Sequence, residues 1–325
     1  MELVENMLTG DTLSLARLIS LVERDDHGVS NIMKQIYPHL GDAYCIGITG
    51  PPGAGKSTSV DRLTSEIRHQ GFTVGIICAD PTSPFSGGAV LGDRIRMQQH
   101  YLDDGVFIRS MATRGSRGGL PHCTGNVTKL LSAFGKDFIL VETVGVGQTE
   151  LDIMQNADTT VVILTPEAGD TIQTMKAGLF EIADIFVVNK ADRPGSDSMI
   201  VALRNMLHMH PNQNCWQVPV IATEAINNKG TEELYEAILN HRQTLEETGQ
   251  LSKQRQEQRR QEFFETVESR IRDKLLILAR QDPELSKFMA MVEAGEIDPY
   301  SAAEEVLKSR LLQISWMEQV AENLQ

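Results

Sequence analysis

Gly50-Pro51-Pro52-Gly53-Ala54-Gly55-Lys56-Ser57 fits the pattern G-x-x-x-x-G-K-[ST] and constrains this chain more than any other stretch. The β-rich apolar run Tyr44–Thr49 precedes it, and a helical stretch, Ser57–Gln70, follows. Strand, glycine-rich turn, helix is the context in which such a loop cradles phosphate. The glycines let backbone N–H groups turn toward the phosphates, and the helix N-terminus adds positive potential. Lys56 is expected to reach the β- and γ-phosphates of a nucleotide. The Ser57 hydroxyl is expected to bind Mg²⁺, with Thr58 continuing the cradle.

The rest of the chain extends the same alternation. Strand signals recur at Thr73–Ala79, Val106–Arg109, Phe138–Thr143, Thr160–Leu164, Ile185–Val188 and Val218–Ala222. Most are continuous apolar runs, as expected for strands covered on both faces. Helical stretches separate them, which predicts parallel βαβ units in a doubly wound α/β domain. A ligand then lies at the carboxyl ends of the strands.

We divide the chain into a helical N-terminal extension (1–42), a P-loop domain (43–245) and a helical C-terminal arm (246–325). In the first part Asp11, Leu13, Leu15, Ala16, Leu18, Ile19 and Val22 follow a helical spacing, with Gly28 and Pro38 ending it. In the last, a polar run, Gln250–Arg260, leads into Phe264, Val267, Ile271, Leu275 and Leu278, one apolar stripe on one helix. Asp298-Pro299 opens a further helix, with Ser301-x-x-Glu304 as its expected capping box. These residues suit fold-back on the core and packing against a second copy equally.

Charge narrows the classes. Among 325 residues, 44 acids face 30 bases, a net charge of −14, which argues against a nucleic-acid coat or an anionic-membrane binder. An apolar share of 41% with 23% charged residues describes a globular chain. Cys45, Cys78, Cys123 and Cys215 form no C-x-x-C pair, so reduced thiols in a cytoplasmic protein are expected. The start, Met1 to Glu5, lacks a basic leader, and no apolar run approaches membrane-spanning length.

Asn189-Lys190-Ala191-Asp192 follows the strand Ile185–Val188 and resembles the N-K-x-D element of GTPases. A carboxylate at Asp192 can accept hydrogen bonds from the N1–H and 2-amino group of guanine. Adenine offers neither, so it would leave a buried acid unpaired. Asn189 is expected to brace the loop, and Thr223-Glu224-Ala225 to close on the base. Three acids stand at strand ends or in glycine-rich loops as Mg²⁺ candidates beside Ser57: Asp80, Asp93 and Glu142. Glu142 opens a segment like the D-x-x-G loop of GTPases, whose Gly145 N–H would contact the γ-phosphate.

Taken together, the chain resembles the MeaB/ArgK (MMAA-like) family of SIMIBI-class GTPases. The matching stretches are GITGPPGAGKST (47–58), ADPTSPFSGGAVLGDRIRM (79–97), FIRSMATRGSRGGLP (107–121), FILVETVGVGQTELD (138–152), LTPEAGDTIQTMKAGLFEIADIFVVNKAD (164–192) and DPYSAAEEVL (298–307). The resemblance implies a GTP-hydrolysing metallochaperone for an adenosylcobalamin-dependent acyl-CoA mutase, which gates cofactor loading and protects the mutase. It implies a homodimer joined through the C-terminal helices, with an adenosyltransferase as a further partner. It also implies that Lys56 and Ser57 serve the phosphates and Mg²⁺, that Asp80, Asp93 and Glu142 surround the metal, that Asn189, Lys190 and Asp192 form the guanine loop, and that Gln173 and Lys176 form a switch sensing the mutase.

Arg114 and Arg117 are loop arginines that suit phosphate or partner contacts. No glutamine after Gly145 matches the water-positioning residue of small GTPases; Gln148 is the nearest candidate and Thr149 the next. Slow intrinsic hydrolysis, accelerated by a partner, is therefore expected. No D-x-H-x-x-G element is present, so the chain is not expected to hold cobalamin itself. Two other readings stand beside this one: a kinase or transport-energising ATPase, and a metal-insertion GTPase, which the lack of Cys- or His-rich ligand tracts weakens.

Overall fold

Seven parallel strands form one sheet in the order β3-β2-β4-β1-β5-β6-β7. They are β1 (Tyr44–Thr49), β2 (Val74–Asp80), β3 (Val106–Ala112), β4 (Phe138–Glu142), β5 (Thr159–Leu164), β6 (Ile185–Asn189) and β7 (Val220–Thr223). All seven expected strands are present, their ends shifted by a few residues. The computed structural model describes residues 2–24, 28–80, 94–113, 120, 123–145, 153–168, 179–209 and 216–308.

The five inner strands are buried at every residue, which is why their sequences read as unbroken apolar runs. The edge strands β3 and β7 are only partly covered. Parity assigns each residue to a face. Ile46, Ile48, Ile76 and Leu140 pack with Val60, Leu63 and Ile67 of α4 (Lys56–His69). Leu234 and Ile238, from a later helix, Thr231–Glu247, join them. Cys45, Ile77, Val141 and Phe186 face the other way, onto α5 (Thr124–Ala133) and the N-terminal helices.

Among the described residues, those N-terminal helices are three: α1 (Glu2–Leu8), α2 (Thr12–Glu23) and α3 (Val29–Ile36). Asp11 caps α2, accepting from the N–H of Ser14 at 3.0 Å, and Leu15, Leu18, Ile19 and Val22 are buried. Leu13 points outward. Contrary to expectation, Gly28 does not end the helical region; it opens α3, and Pro38 lies in the short turn after it.

Among the described residues, the remaining helices are α6 (Leu179–Ile182), α7 (Ser196–Met209), α8 (Thr231–Glu247), α9 (Gln250–Gln281), α10 (Pro283–Glu293) and α11 (Pro299–Lys308). The chain divides into two compact units, residues 1–255 and 256–325. In the second, Leu285 packs with Ala279 and Val306. Of the stripe read from the sequence, Phe264, Val267, Ile271 and Leu275 are exposed along α9, and the Leu278 side chain lies outside the described residues. Asp298 caps α11 through the N–H groups of Tyr300 and Ser301, both at 3.0 Å, so the expected Ser301–Glu304 box is replaced by a single acid one turn earlier. Asp282 caps α10 in the same way, ahead of Pro283. Among the described residues, no helix is long and apolar enough to cross a membrane.

Candidate functional site

The carboxyl ends of β1, β2, β4, β6 and β7 open into one cleft of about 710 Å³. β1 passes into the loop Gly50–Gly55, and α4 begins at Lys56. Gly55 adopts a left-handed φ of 92°, and a Cβ there would collide with the side-chain amide of Asn189. Glycine is required for both reasons. Lys56 is buried, its Nζ donating to the carbonyl of Gly50 at 2.9 Å and of Pro51 at 3.3 Å. Its ammonium is thus held over the loop, beside the N-terminal end of α4.

Ser57 Oγ donates to Glu142 Oε1 at 2.7 Å. Register explains the meeting: Glu142 ends β4 beside Ile48 of β1, and on its other side beside Cys78 of β2. Asp80 closes β2. Ser57, Asp80 and Glu142 are all buried and all line the cleft. A hydroxyl and two carboxylates are hard oxygen donors, a set that fits Mg²⁺, which keeps several of its waters. Among the described residues no three His, Cys, Asp or Glu side chains are clustered to hold a metal unaided. Beyond Glu142, Thr143 exchanges a 2.9 Å hydrogen bond with Thr49. Gly145 follows with a φ of 81°, and a Cβ there would strike the carbonyl of Gly50 and Nζ of Lys56.

The other end of the cleft is organised by Asn189. Its Nδ2 donates to the carbonyl of Ala54 at 2.8 Å, and its Oδ1 accepts from Thr223 Oγ1 and from the N–H of Ala225, each at 3.1 Å. One buried amide therefore ties the phosphate loop to the segment after β7. Lys190 takes a left-handed φ of 57°, and the N–H of Ala191 bonds the carbonyl of Thr223 at 3.0 Å. Asp192 is exposed on the wall of the cleft. Glu224 also lines it; hydrogen bonds from Asn227 and Lys229 hold its carboxyl below the usual range.

The structure brings together Gly50–Thr58, Asp80, Glu142, Gly145, Asn189–Asp192 and Thr223–Ala225 from five strand ends. Asp93, Arg114, Arg117, Gln148, Thr149, Gln173 and Lys176 lie outside the described residues. Sequence reasoning missed Thr143, Ile226 and Asn227, which line the cleft, and Arg62, which touches its wall from α4. Ile226 and Asn227 directly continue the expected base loop, so extending that loop finds them. Arg62 carries no signal, since a lone arginine on a helix reads as solvated.

Comparison with known proteins places this geometry in context. Residues 15–279 match the family model described as methylmalonyl-CoA mutase-associated GTPase MeaB. A putative GTPase of Pyrococcus abyssi is 50% identical over 310 residues, covering 94% of this chain and 95% of that protein. The mitochondrial methylmalonic aciduria type A homolog of Caenorhabditis elegans is 28% identical over 331 residues, covering 95% and 82%. Among solved structures, a LAO/AO transport system kinase superposes with a TM-score of 0.69 at 24% identity, covering 94% of this chain and 96% of that one; it shares the fold.

Proposed function

The chain belongs to the MeaB family of methylmalonyl-CoA mutase-associated GTPases, and from that premise we propose that it hydrolyses GTP to gate cofactor loading onto an adenosylcobalamin-dependent acyl-CoA mutase and to protect that enzyme. The observation that carries the reading is the Asn189 tie. It joins a phosphate loop and a guanine-type loop on one cleft, in a chain whose family is named for the mutase.

The cleft supports the chemistry as follows. Backbone N–H groups of the Gly50–Gly55 loop and the N-terminus of α4 meet the phosphates. Lys56 exchanges the carbonyls of Gly50 and Pro51 for β- and γ-phosphate oxygens. Ser57, Asp80 and Glu142 would hold Mg²⁺, joined by Asp93 in our reading. When bound, the ion neutralises charge gathering on the transferring phosphoryl group. Gly145 lies against Lys56, which supports a role for its N–H in following the γ-phosphate, with loss of that phosphate releasing the loop in this reading. Asp192 selects guanine, with Thr223–Ala225 closing on the base. Water attacks the γ-phosphorus, giving GDP and phosphate; Gln148 is our candidate for orienting it.

The proposal extends to a homodimer built through the C-terminal arm, supported by the exposed stripe Phe264, Val267, Ile271 and Leu275. Gln173 and Lys176 sense the mutase in this reading, and the working division remains 1–42, 43–245 and 246–325. The reduced, buried thiols Cys45 and Cys78 support a cytoplasmic setting. A pull-down from the source cell, with GDP and with a nonhydrolysable GTP analogue, tests the client. Recovery of a cobalamin-dependent mutase in a nucleotide-dependent manner is expected. Its absence from both would contradict the reading.

A further inference from the structure

The segment Ala225–Asn227 forms a single 3-10 turn on the base side of the cleft. Its root is closed by paired backbone bonds between Glu224 and Lys229, at 3.0 and 3.3 Å. Its tip is different. The side chain of Ile226 is 76% exposed, so packing does little to hold it. What reaches the tip is Arg62 of α4. Nε donates to the carbonyl of Ala225 at 3.0 Å, and a terminal guanidinium nitrogen donates to the carbonyl of Ile226 at 3.2 Å. Two successive carbonyls at the end of a turn present concentrated negative potential. A planar guanidinium can bridge both at once, whereas an ammonium acts from one point.

Arg62 stands on the helix whose first residues are Lys56 and Ser57. The element that grips the phosphates thus also grips the loop expected to close on the base. Asn189 makes the same connection from the sheet side, through Ala54 and Ala225. Asn189 reaches the turn only at the N–H of Ala225; Arg62 adds the carbonyls of Ala225 and Ile226, beyond the bonds the turn makes to its own Glu224 through Asn227.

We propose that Arg62 is a positioning residue for guanine recognition. It holds the Ala225–Asn227 turn against α4, so that base closure and phosphate binding occur at one fixed separation. This rests on the guanine reading of the cleft and adds to it a residue outside the known loops. Arg62 acts through the turn and not on the phosphates. Its loss should therefore weaken nucleotides whose base the turn reads, and spare one held by its phosphates alone.

The test uses the full-length protein, with GDP and ADP dissociation constants measured for wild type, Arg62→Met and Arg62→Lys. Arg62→Met keeps the aliphatic stem and removes the donors. GDP binding should weaken about 10-fold, with ADP binding unchanged, so the guanine-to-adenine ratio falls. Arg62→Lys should recover part of the loss, since one amine can serve one carbonyl. With GTP as substrate the loss should sit in KM and not in kcat, which general destabilisation of α4 would not produce. Equal weakening of GDP and ADP, or an unchanged GDP constant in both variants, would overturn the proposal. Equal binding of GDP and ADP by the wild-type protein would overturn the guanine reading itself, and the proposal with it.

Discussion

Ser57 Oγ lies 2.7 Å from Glu142 Oε1, joining the first turn of α4 to the end of β4 at the floor of the cleft. A glutamate at this strand end reaches the hydroxyl that our reading gives to Mg²⁺. Glu142→Gln keeps the side-chain length and an oxygen for Ser57 but removes the charge. We expect kcat for GTP to fall on the order of 100-fold and the Mg²⁺ concentration for half-maximal rate to rise. GDP affinity in EDTA should be unchanged. A Mg²⁺ titration of steady-state turnover checks this, and a wild-type profile would remove Glu142 from the metal site.

Asp192 is exposed on the cleft wall beyond the Asn189 tie. In Asp192→Asn the side-chain amide would offer one acceptor and one donor where guanine needs two acceptors. GTP affinity in that variant should fall by about 100-fold or more. Xanthosine triphosphate, which carries a 2-oxo group, should bind better to the variant than to wild type. An unchanged nucleotide profile would mean the base pocket lies elsewhere.

Gly145 has a left-handed backbone, and a Cβ on it would strike Gly50 and Lys56. Gly145→Ala should therefore lower GTP turnover at least about 10-fold and weaken GTP more than GDP, which lacks the γ-phosphate. Lys56→Ala should instead weaken both nucleotides. Stopped-flow binding of fluorescent GDP and a GTP analogue separates the two patterns. Identical defects in the two variants would contradict a γ-phosphate role for Gly145.

His241 of α8 is buried, its Nδ1 2.8 Å from Thr159 Oγ1 and its ring against Trp216. Burial lowers its pKa from 6.5 to about 4. As pH falls below 6.5 the unfolded chain takes the proton first, so stability held above pH 6.5 is lost toward pH 4. Asp184 Oδ1 is 3.5 Å from His241 Nε2 and works oppositely. Desolvation raises its pKa from 3.8 to about 7, so its contribution is present in acid and lost as pH rises through 7. The two offset each other in the wild type. His241→Gln should gain stability relative to wild type between pH 6.5 and 4, by about 3 kcal/mol at most. Urea titrations at about pH 7.5 and about pH 4.5 check it, and parallel changes in both proteins would contradict it.

The strands were legible because burial on both faces leaves no polar alternation to misread, as in Ile46, Ile48, Val161 and Val187. The cleft was legible at the strand ends: Ser57, Asp80, Glu142 and Asn189 converge because parallel strands bring their carboxyl ends to one side. Helix starts were harder. Asp298 takes the capping role expected of Ser301, and Asp282-Pro283 starts a helix the apolar spacing did not reveal. Arg62 was invisible because its partners are backbone carbonyls more than 160 residues away, and carbonyls leave no mark in a sequence.

GTP turnover by the purified protein, alone and with an adenosylcobalamin-dependent acyl-CoA mutase, tests the central claim most directly. Methylmalonyl-CoA mutase comes first, then the isobutyryl-, ethylmalonyl- and hydroxyisobutyryl-CoA enzymes. We predict slow hydrolysis alone and a rise of about 10-fold or more with the client mutase, as expected when a partner orders the residues around the γ-phosphate. Fast hydrolysis by the isolated protein, unchanged by any of these mutases, would contradict the account.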